Sequence, residues 1–235
     1  MLPRQPDRSW RDGPLVGVDG CRAGWVAAVD HVAGGTETRL LVLPDVQGVL
    51  ALGAALVGID IPLGLPAAGP RACDVAARAR LGRRRSSVFP APVRAVLGAT
   101  DHRDAVRRSN AASGQGLSVQ AWNLVAKIED ADRRIGPADH VVEVHPELSF
   151  AAMAGGPLGT RKLDAAGRRE RLDLLRGGFP DVAVQLAARP AGCAADDVLD
   201  AYAVLWTVRR IAAGTAEVLG DGTLDETGRT MSITV

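Results

Sequence analysis

The chain has 235 residues, which suits one domain or one domain with a large insertion. It is 47% hydrophobic and 23% charged, so a packed core is within reach, and no apolar run approaches the roughly 18 residues of a membrane span. Net charge is only +1, yet residues 61–127 carry eleven Lys/Arg against three acids, which sets a basic segment against an otherwise acidic body. A basic surface attracts polyanions such as nucleic acid, and it equally describes a solvated arginine-rich helical face.

Residues 1–13 include MLPRQPDRSWRDG, which has no apolar core of a secretory signal and reads as a disordered lead-in to a single domain over 14–235. GPLVGVDGC and GWVAAVD form a hairpin with its turn at Cys21–Gly24. TETRLLVLP is a third strand after a turn at Gly34–Gly35, DVQGVLALG a short helix, and ALVGIDIP a buried strand stopped by Pro62. A helical insertion follows at about 64–136, with helices predicted near Arg71–Leu81, Asp101–Ala112 and Ser118–Ile135. GRRRSSVFPAPVRAV separates the first two as a loop. HVVEVHP reads as a strand, and ELSFAAMAG and DAAGRRERLDLLRGG as helices. AADDVLDAYAVLWTVRRIAAG is the strongest helix, with acids in its first turn and Gly214 after its end, and the tail adds a short hairpin. The order β-β-β-α-β, insertion, β, helices predicts an α/β fold: a ribonuclease H-like mixed five-stranded sheet with flanking helices and a helical insertion after strand four. Cys21, Cys73 and Cys193 are odd in number and far apart, which predicts reduced thiols in a cytoplasmic protein and gives no zinc spacing.

Carboxylates recur where strands end. Asp19 closes the first strand, Asp60 the fourth, and Glu143 lies in VVEVHP with Glu147 beyond it. Asp197 and Asp200 share one face of the last helix. If strands one and four are adjacent and parallel, Asp19 and Asp60 meet and the helix brings its pair alongside. Clustered carboxylates repel one another unless a multivalent cation joins them, so the set points to Mg²⁺ or Mn²⁺ and to metal-assisted displacement at a phosphodiester. Each acid also has a structural reading: Asp196 and Asp197 as cap and first-turn acids, Asp19 as a turn residue, Asp60 as a cap before Pro62. Glu143 and His145 share a sheet face, where His145 is either a proton shuttle or a histidine satisfied by backbone. Glu147 also reads as a first-turn acid of the next helix.

The segments VGVDGCRAGWVAAV, VGIDIPLGLP, RACDVAARARLGRRRSSVFPAP, GLSVQAWNLVAKIEDAD, VVEVHPELSF and DDVLDAYAVLWTVRR together resemble the domain of unknown function 429 family, from about Leu15 to Ala213. That family is described as predicted nucleases with a ribonuclease H-like fold. The chain is also distantly similar to RuvC-type resolvases, in which acids end strands one and four and DxxDA opens the last helix. The resemblance carries metal-binding roles to Asp19, Asp60, Asp197 and Asp200. It departs at Asp60, where the resolvases have Glu, and in its larger insertion. The function implied is metal-dependent hydrolysis of nucleic acid, DNA or RNA. An actin-like phosphotransferase and a non-catalytic binding module are the alternatives. Asp19, Asp60, Asp197, Asp200, Glu143 and His145 are then the catalytic candidates. Arg83, Arg84, Arg85 and Ser86 of the loop, with Gln120, Asn123 and Lys127 on one helix face, are the phosphate-binding candidates. A solvated loop and a solvent-facing helix side explain those same residues without function.

Overall fold

The computed structural model describes residues 13–30 and 37–235. The expected lead-in, apart from Gly13, and the Gly34–Gly35 turn lie outside the described residues. Strands β1 (Leu15–Cys21), β2 (Gly24–Asp30) and β3 (Thr38–Leu43) form an antiparallel meander. Helix α1 (Val46–Leu50), capped by the Asp45 side chain, leads to β4 (Leu56–Ile59), which pairs parallel with β1. Strand β5 (Val141–Glu143) adds in parallel on the far side of β4, so the order is β3-β2-β1-β4-β5. This is the ribonuclease H-like mixed sheet predicted above.

Between β4 and β5 stand α2 (Ala72–Leu81), a 3₁₀ segment over Gly82–Ser87, α3 (His102–Ser113) and α4 (Val119–Arg134). After β5 come α5 (Pro146–Ala154), α6 (Ala165–Arg176), α7 (Val182–Ala187) and α8 (Ala195–Ala213). The chain closes with β6 (Val218–Leu219) paired to β7 (Ile233–Thr234), and Thr234 bridges back to Val144 beside β5. Helix α7 and the 3₁₀ turns are not visible as periodicity. Strand β5 is shorter than HVVEVHP suggests, because Pro146 starts α5 and removes a donor.

The period-two alternation of the strands divides the interior into two cores. Val16 and Val18 of β1, Trp25 and Ala27 of β2 and Val57 and Ile59 of β4 face one side, where Ile128 and Ala131 of α4 pack. Leu15 and Cys21, Val26 and Ala28, and Leu56 face the other, under α8. By the same alternation Gly17, Asp19, Gly58 and Asp60 look toward α8. Gly17 and Gly58 are partners across the β1–β4 ladder. A Cβ on Gly17 would lie 2.2 Å from the Leu205 nitrogen and 2.3 Å from the Ala201 oxygen, and one on Gly58 would lie 2.6 Å from a Val208 methyl. The two glycines thus form a bare strip on which the backbone of α8 rests. Apolar residues cover almost the whole circumference of α8, with Val198 through Leu205 buried, as a helix enclosed on several sides requires. That seat fixes where its first turns, and their acids, come to lie.

Candidate active site

Asp19 lies within β1, two residues before its end, rather than closing the strand as expected, while Asp60 directly follows β4; the parallel pairing of the two strands brings these aspartates side by side. The Asp60 amide donates to the Val18 carbonyl at 2.9 Å, which sets Asp60 beside Asp19 across the β1–β4 ladder. Asp19 is buried, Asp60 half-buried. Burial first, then the charges of Asp60 and Asp200, push the Asp19 pKa well above the usual carboxylate value. Burial also raises Asp60, against the opposing pull of His145 and Lys162.

Asp200, on the second turn of α8, completes the cluster. It is 3% exposed, and burial pushes its pKa up to about 6 although Lys162 opposes the shift. Lys162 Nζ donates to Asp200 Oδ2 at 2.9 Å and stands 4.0 Å from Asp196 Oδ2. Asp200 Oδ1 is buried without a hydrogen-bond partner. Burial alone would lower the Lys162 pKa, but Asp200, Asp19 and Asp60 hold it above the usual lysine value. One ammonium thus faces several acids. Among the described residues no three His, Cys, Asp or Glu side chains converge as a ready-made metal-binding group. Within the cluster, Asp200 is engaged by Lys162.

These groups line a pocket of about 420 Å³ at the carboxyl ends of β1 and β4. His145 and Glu147 line another wall. The His145 Nε2 lies 3.2 Å from the Ser87 carbonyl, which can only accept, so Nε2 carries the proton. Its Nδ1 is buried and unpartnered. Glu147, in the first turn of α5, accepts from Arg171 at 2.5 Å and lies 3.8 Å from Arg84.

The model of the family described as "Protein of unknown function (DUF429)" matches residues 17–224, a span that holds every one of these groups. The chain belongs to the DUF429 family. No curated protein and no solved structure matches it.

Of the acids singled out in the DUF429 sequence, Asp19, Asp60 and Asp200 come together, and Asp197 borders the same pocket. Asp197 is also tied down: its Oδ2 accepts the Ala194 amide at 2.8 Å, the capping role. Glu143 lines the pocket but its carboxylate is committed elsewhere. Both its oxygens accept from Arg71 at 2.7 Å, and one also takes the Leu63 amide at 2.7 Å. Arg71 is bonded in addition to both oxygens of Asp74. Burial by itself would lower the Arg71 pKa, and Glu143 and Asp74 reverse this and hold it well above normal. Glu143 is therefore a structural anchor rather than a free catalytic carboxylate.

The predicted phosphate contacts divide in the same way. Arg84 and Lys127 line the pocket, whereas Arg83, Arg85, Ser86, Gln120 and Asn123 are exposed and lie off its wall. Lys127 donates to the Gly24 carbonyl at 2.5 Å and covers the Trp25 ring. Much of the insertion's positive charge is used internally. Arg94 binds Asp132 and Asp225, Arg80 binds Glu217, and Arg107 and Arg108 bind Asp104. Cys21, Cys73 and Cys193 are free and buried, in accord with reduced thiols. Among the described residues no helix is long and apolar enough to cross a membrane.

Sequence reasoning did not find Lys162. It lies in GGPLGTRKLD, a turn-rich segment without periodicity, where a lysine carries no positional signal. A signal was available for the placement of the acids: in GVD and GID a glycine precedes each of the two aspartates by two residues, on the same face.

Proposed function

We propose that this DUF429 protein is a divalent-metal-dependent hydrolase of phosphodiester bonds in nucleic acid, on a scaffold similar to that of RuvC-type resolvases. The observation that carries the reading is the juxtaposition of Asp19, Asp60 and Asp200. Three separate elements place three acids around one lysine; burial raises all three pKa values, and repulsion from neighbouring carboxylates adds to the rise at Asp19 and Asp200. A fold gains little stability from such a group, and perturbed carboxylates gathered in a pocket are a functional-site signature.

The donor set fits a hard divalent cation. All three groups offer carboxylate oxygens, Lys162 is a single positive charge among them, and Asp200 Oδ1 has no partner. Asp19, Asp60 and Asp200 would hold the ion. Bound Mg²⁺ or Mn²⁺ supplies Lewis acidity at a phosphoryl oxygen and a water of lowered pKa. The chain's own groups do the rest. The buried walls exclude bulk water and strengthen every electrostatic contact inside. The Lys162 ammonium offsets the charge of Asp200 and stands where phosphate oxygens would be attracted. His145 offers Nδ1 as an acceptor of a proton, its tautomer fixed by the Ser87 carbonyl. Arg84 and Lys127 place positive charge on the walls against the phosphodiester backbone.

The test is a panel of labelled single strands, flaps, junctions and RNA–DNA hybrids with Mg²⁺ or Mn²⁺, run beside Asp19→Asn. Metal-dependent cleavage that is lost in Asp19→Asn supports the reading. Stabilisation by Mn²⁺ with no polymer cut would make the protein a binding module, and stabilisation by nucleotides alone would favour a phosphotransferase.

A further inference from the structure

Phe89 lines the carboxylate pocket while 45% exposed. It is the one aromatic among the large exposed hydrophobic residues of the described chain, in a protein with only 3% aromatics. Its backbone is held on both sides. The preceding Val88 is 2% exposed, and its carbonyl accepts from Arg78 at 2.6 Å. The Ala91 amide donates to Asp74 at 3.0 Å, and Pro90 between them has a fixed φ. A greasy ring on a slack loop would fold inward. This one is presented to solvent by a braced segment, so it loses little freedom when a ligand covers it.

The surroundings indicate what would cover it. Arg84 also lines this pocket, and its Nε is buried without a hydrogen-bond partner. Lys127 lines it as well. Below the rim, Asp19 and Asp200 are 8% and 3% exposed. An exposed ring, cationic groups and a deep acidic floor within about 420 Å³ match the size of small-ligand clefts rather than of a broad groove.

We infer that the pocket takes one unstacked nucleotide of a single strand, its base stacked on Phe89 and its phosphate directed to the divalent cation that Asp19, Asp60 and Asp200 would hold. This rests on the hydrolase reading above and adds the substrate class. A nucleotide inside a duplex has both base faces covered by its neighbours, so it cannot offer one to Phe89 while its phosphate descends to that cation. An unpaired or frayed nucleotide can do both, and stacking on a ring is tolerant of base identity.

The inference is read by binding, and the hydrolase reading by turnover, so the two fail separately. Fluorescence anisotropy in Ca²⁺ compares a labelled 12-mer single strand, as DNA and as RNA, with its blunt duplex. The proteins are wild type, Phe89→Ala, Phe89→Leu and Phe89→Trp. Single strands should bind at least about tenfold more tightly than the duplex. Phe89→Ala should weaken single-strand binding roughly five- to a hundredfold, the range of base–aromatic stacking, and leave duplex binding unchanged. Trp should restore affinity and Leu should not. Because the ring is exposed, none of these changes threatens the fold, and equal melting temperatures verify that. Duplex binding as tight as single-strand binding, an equal loss on both, or rescue by Leu overturns the inference even if the protein cuts nucleic acid. Preferential single-strand binding without cleavage under Mg²⁺ or Mn²⁺ upholds it and removes the hydrolase. No binding of either form overturns the inference, and the cleavage panel then decides the hydrolase on its own.

Discussion

Two buried charge clusters share the wall of one pocket, and they are built on opposite plans. Around Arg71, one guanidinium faces Glu143 and Asp74, and its donors also reach the Leu63 and Gly64 carbonyls. The geometry is bidentate toward both acids. Around Lys162, one ammonium faces Asp200 directly and Asp19, Asp60 and Asp196 at longer range, and an oxygen of Asp200 is orphaned. The first cluster is finished and needs nothing from outside. The second leaves a buried carboxylate oxygen without a donor. Burial and carboxylate content alone do not separate a brace from a site. The separation lies in whether each lone pair has a donor.

That contrast breaks most sharply at its cations. Arg71→Met leaves Glu143 and Asp74 buried and unpaired, and urea unfolding at pH 7 should lose about 3–5 kcal/mol. Lys162→Met should lose much less, about 1 kcal/mol, because Asp200 with its pKa near 6 can take up a proton instead. Equal losses would erase the distinction.

Next in size is pH. The native Asp200 carboxyl keeps its proton to about 6, while in the unfolded chain it releases it near 3.8. Between those values the native state binds more protons, so stability must fall as pH rises through this window, by up to about 3 kcal/mol. Asp104, Asp130 and Asp225 have lowered values, and their linked stability is gained below this window, so they do not mask the effect. Melts in EDTA from pH 4 to 7 should show the fall in wild type and a smaller one in Asp200→Asn. A rise across that range would contradict the cluster's electrostatics.

Metal linkage is comparable but smaller. At free Mn²⁺ one hundred times its dissociation constant, bound ion adds about 2.7 kcal/mol. In Asp200→Asn most of that increment should vanish, while stability in EDTA at pH 7 should be no lower than that of wild type, because the cost of a buried charge beside Asp19 and Asp60 is relieved. A large loss in EDTA with an unchanged Mn²⁺ increment would make Asp200 another Glu143.

The smallest effect belongs to the exposed loop. Arg83→Ala with Arg85→Ala should leave the melting temperature unchanged. If the two arginines meet phosphates, the slope of log binding constant against log salt should flatten by roughly 0.7 for each single-strand phosphate that is no longer neutralised. An unchanged slope assigns them to solvent.

The sheet was readable from strand alternation and turn residues, and the meeting of Asp19 with Asp60 followed once β1 and β4 were taken as parallel neighbours. Asp200 stood out because it interrupts an apolar run on α8. Roles that depend on partners distant in the chain were not readable. Glu143 alternates correctly for a site wall, yet its fate is decided by Arg71, 72 residues away in sequence. Asp197 has the spacing of a ligand and the position of a cap, and only the Ala194 amide shows the second. Lys162 sits in a segment where neither period nor cap marks it. The excess of arginine in the insertion suggested a basic face, but Asp132, Asp225 and Glu217, all outside the counted segment, consume part of it.

The glycine strip has a mechanical consequence. With main chain pressed against main chain at Gly17, α8 can neither roll nor slide on the sheet without collision. The spacing from Asp19 and Asp60 to Asp200 is thus set like a fixed gauge. Any accommodation of ions or strands of different size must come from the other side of the pocket, from the segment bearing Lys162 and the one bearing Arg84 and Phe89. Adding one methyl at residue 17 would force the gauge open by more than an ångström, a fault that no repacking of side chains could absorb.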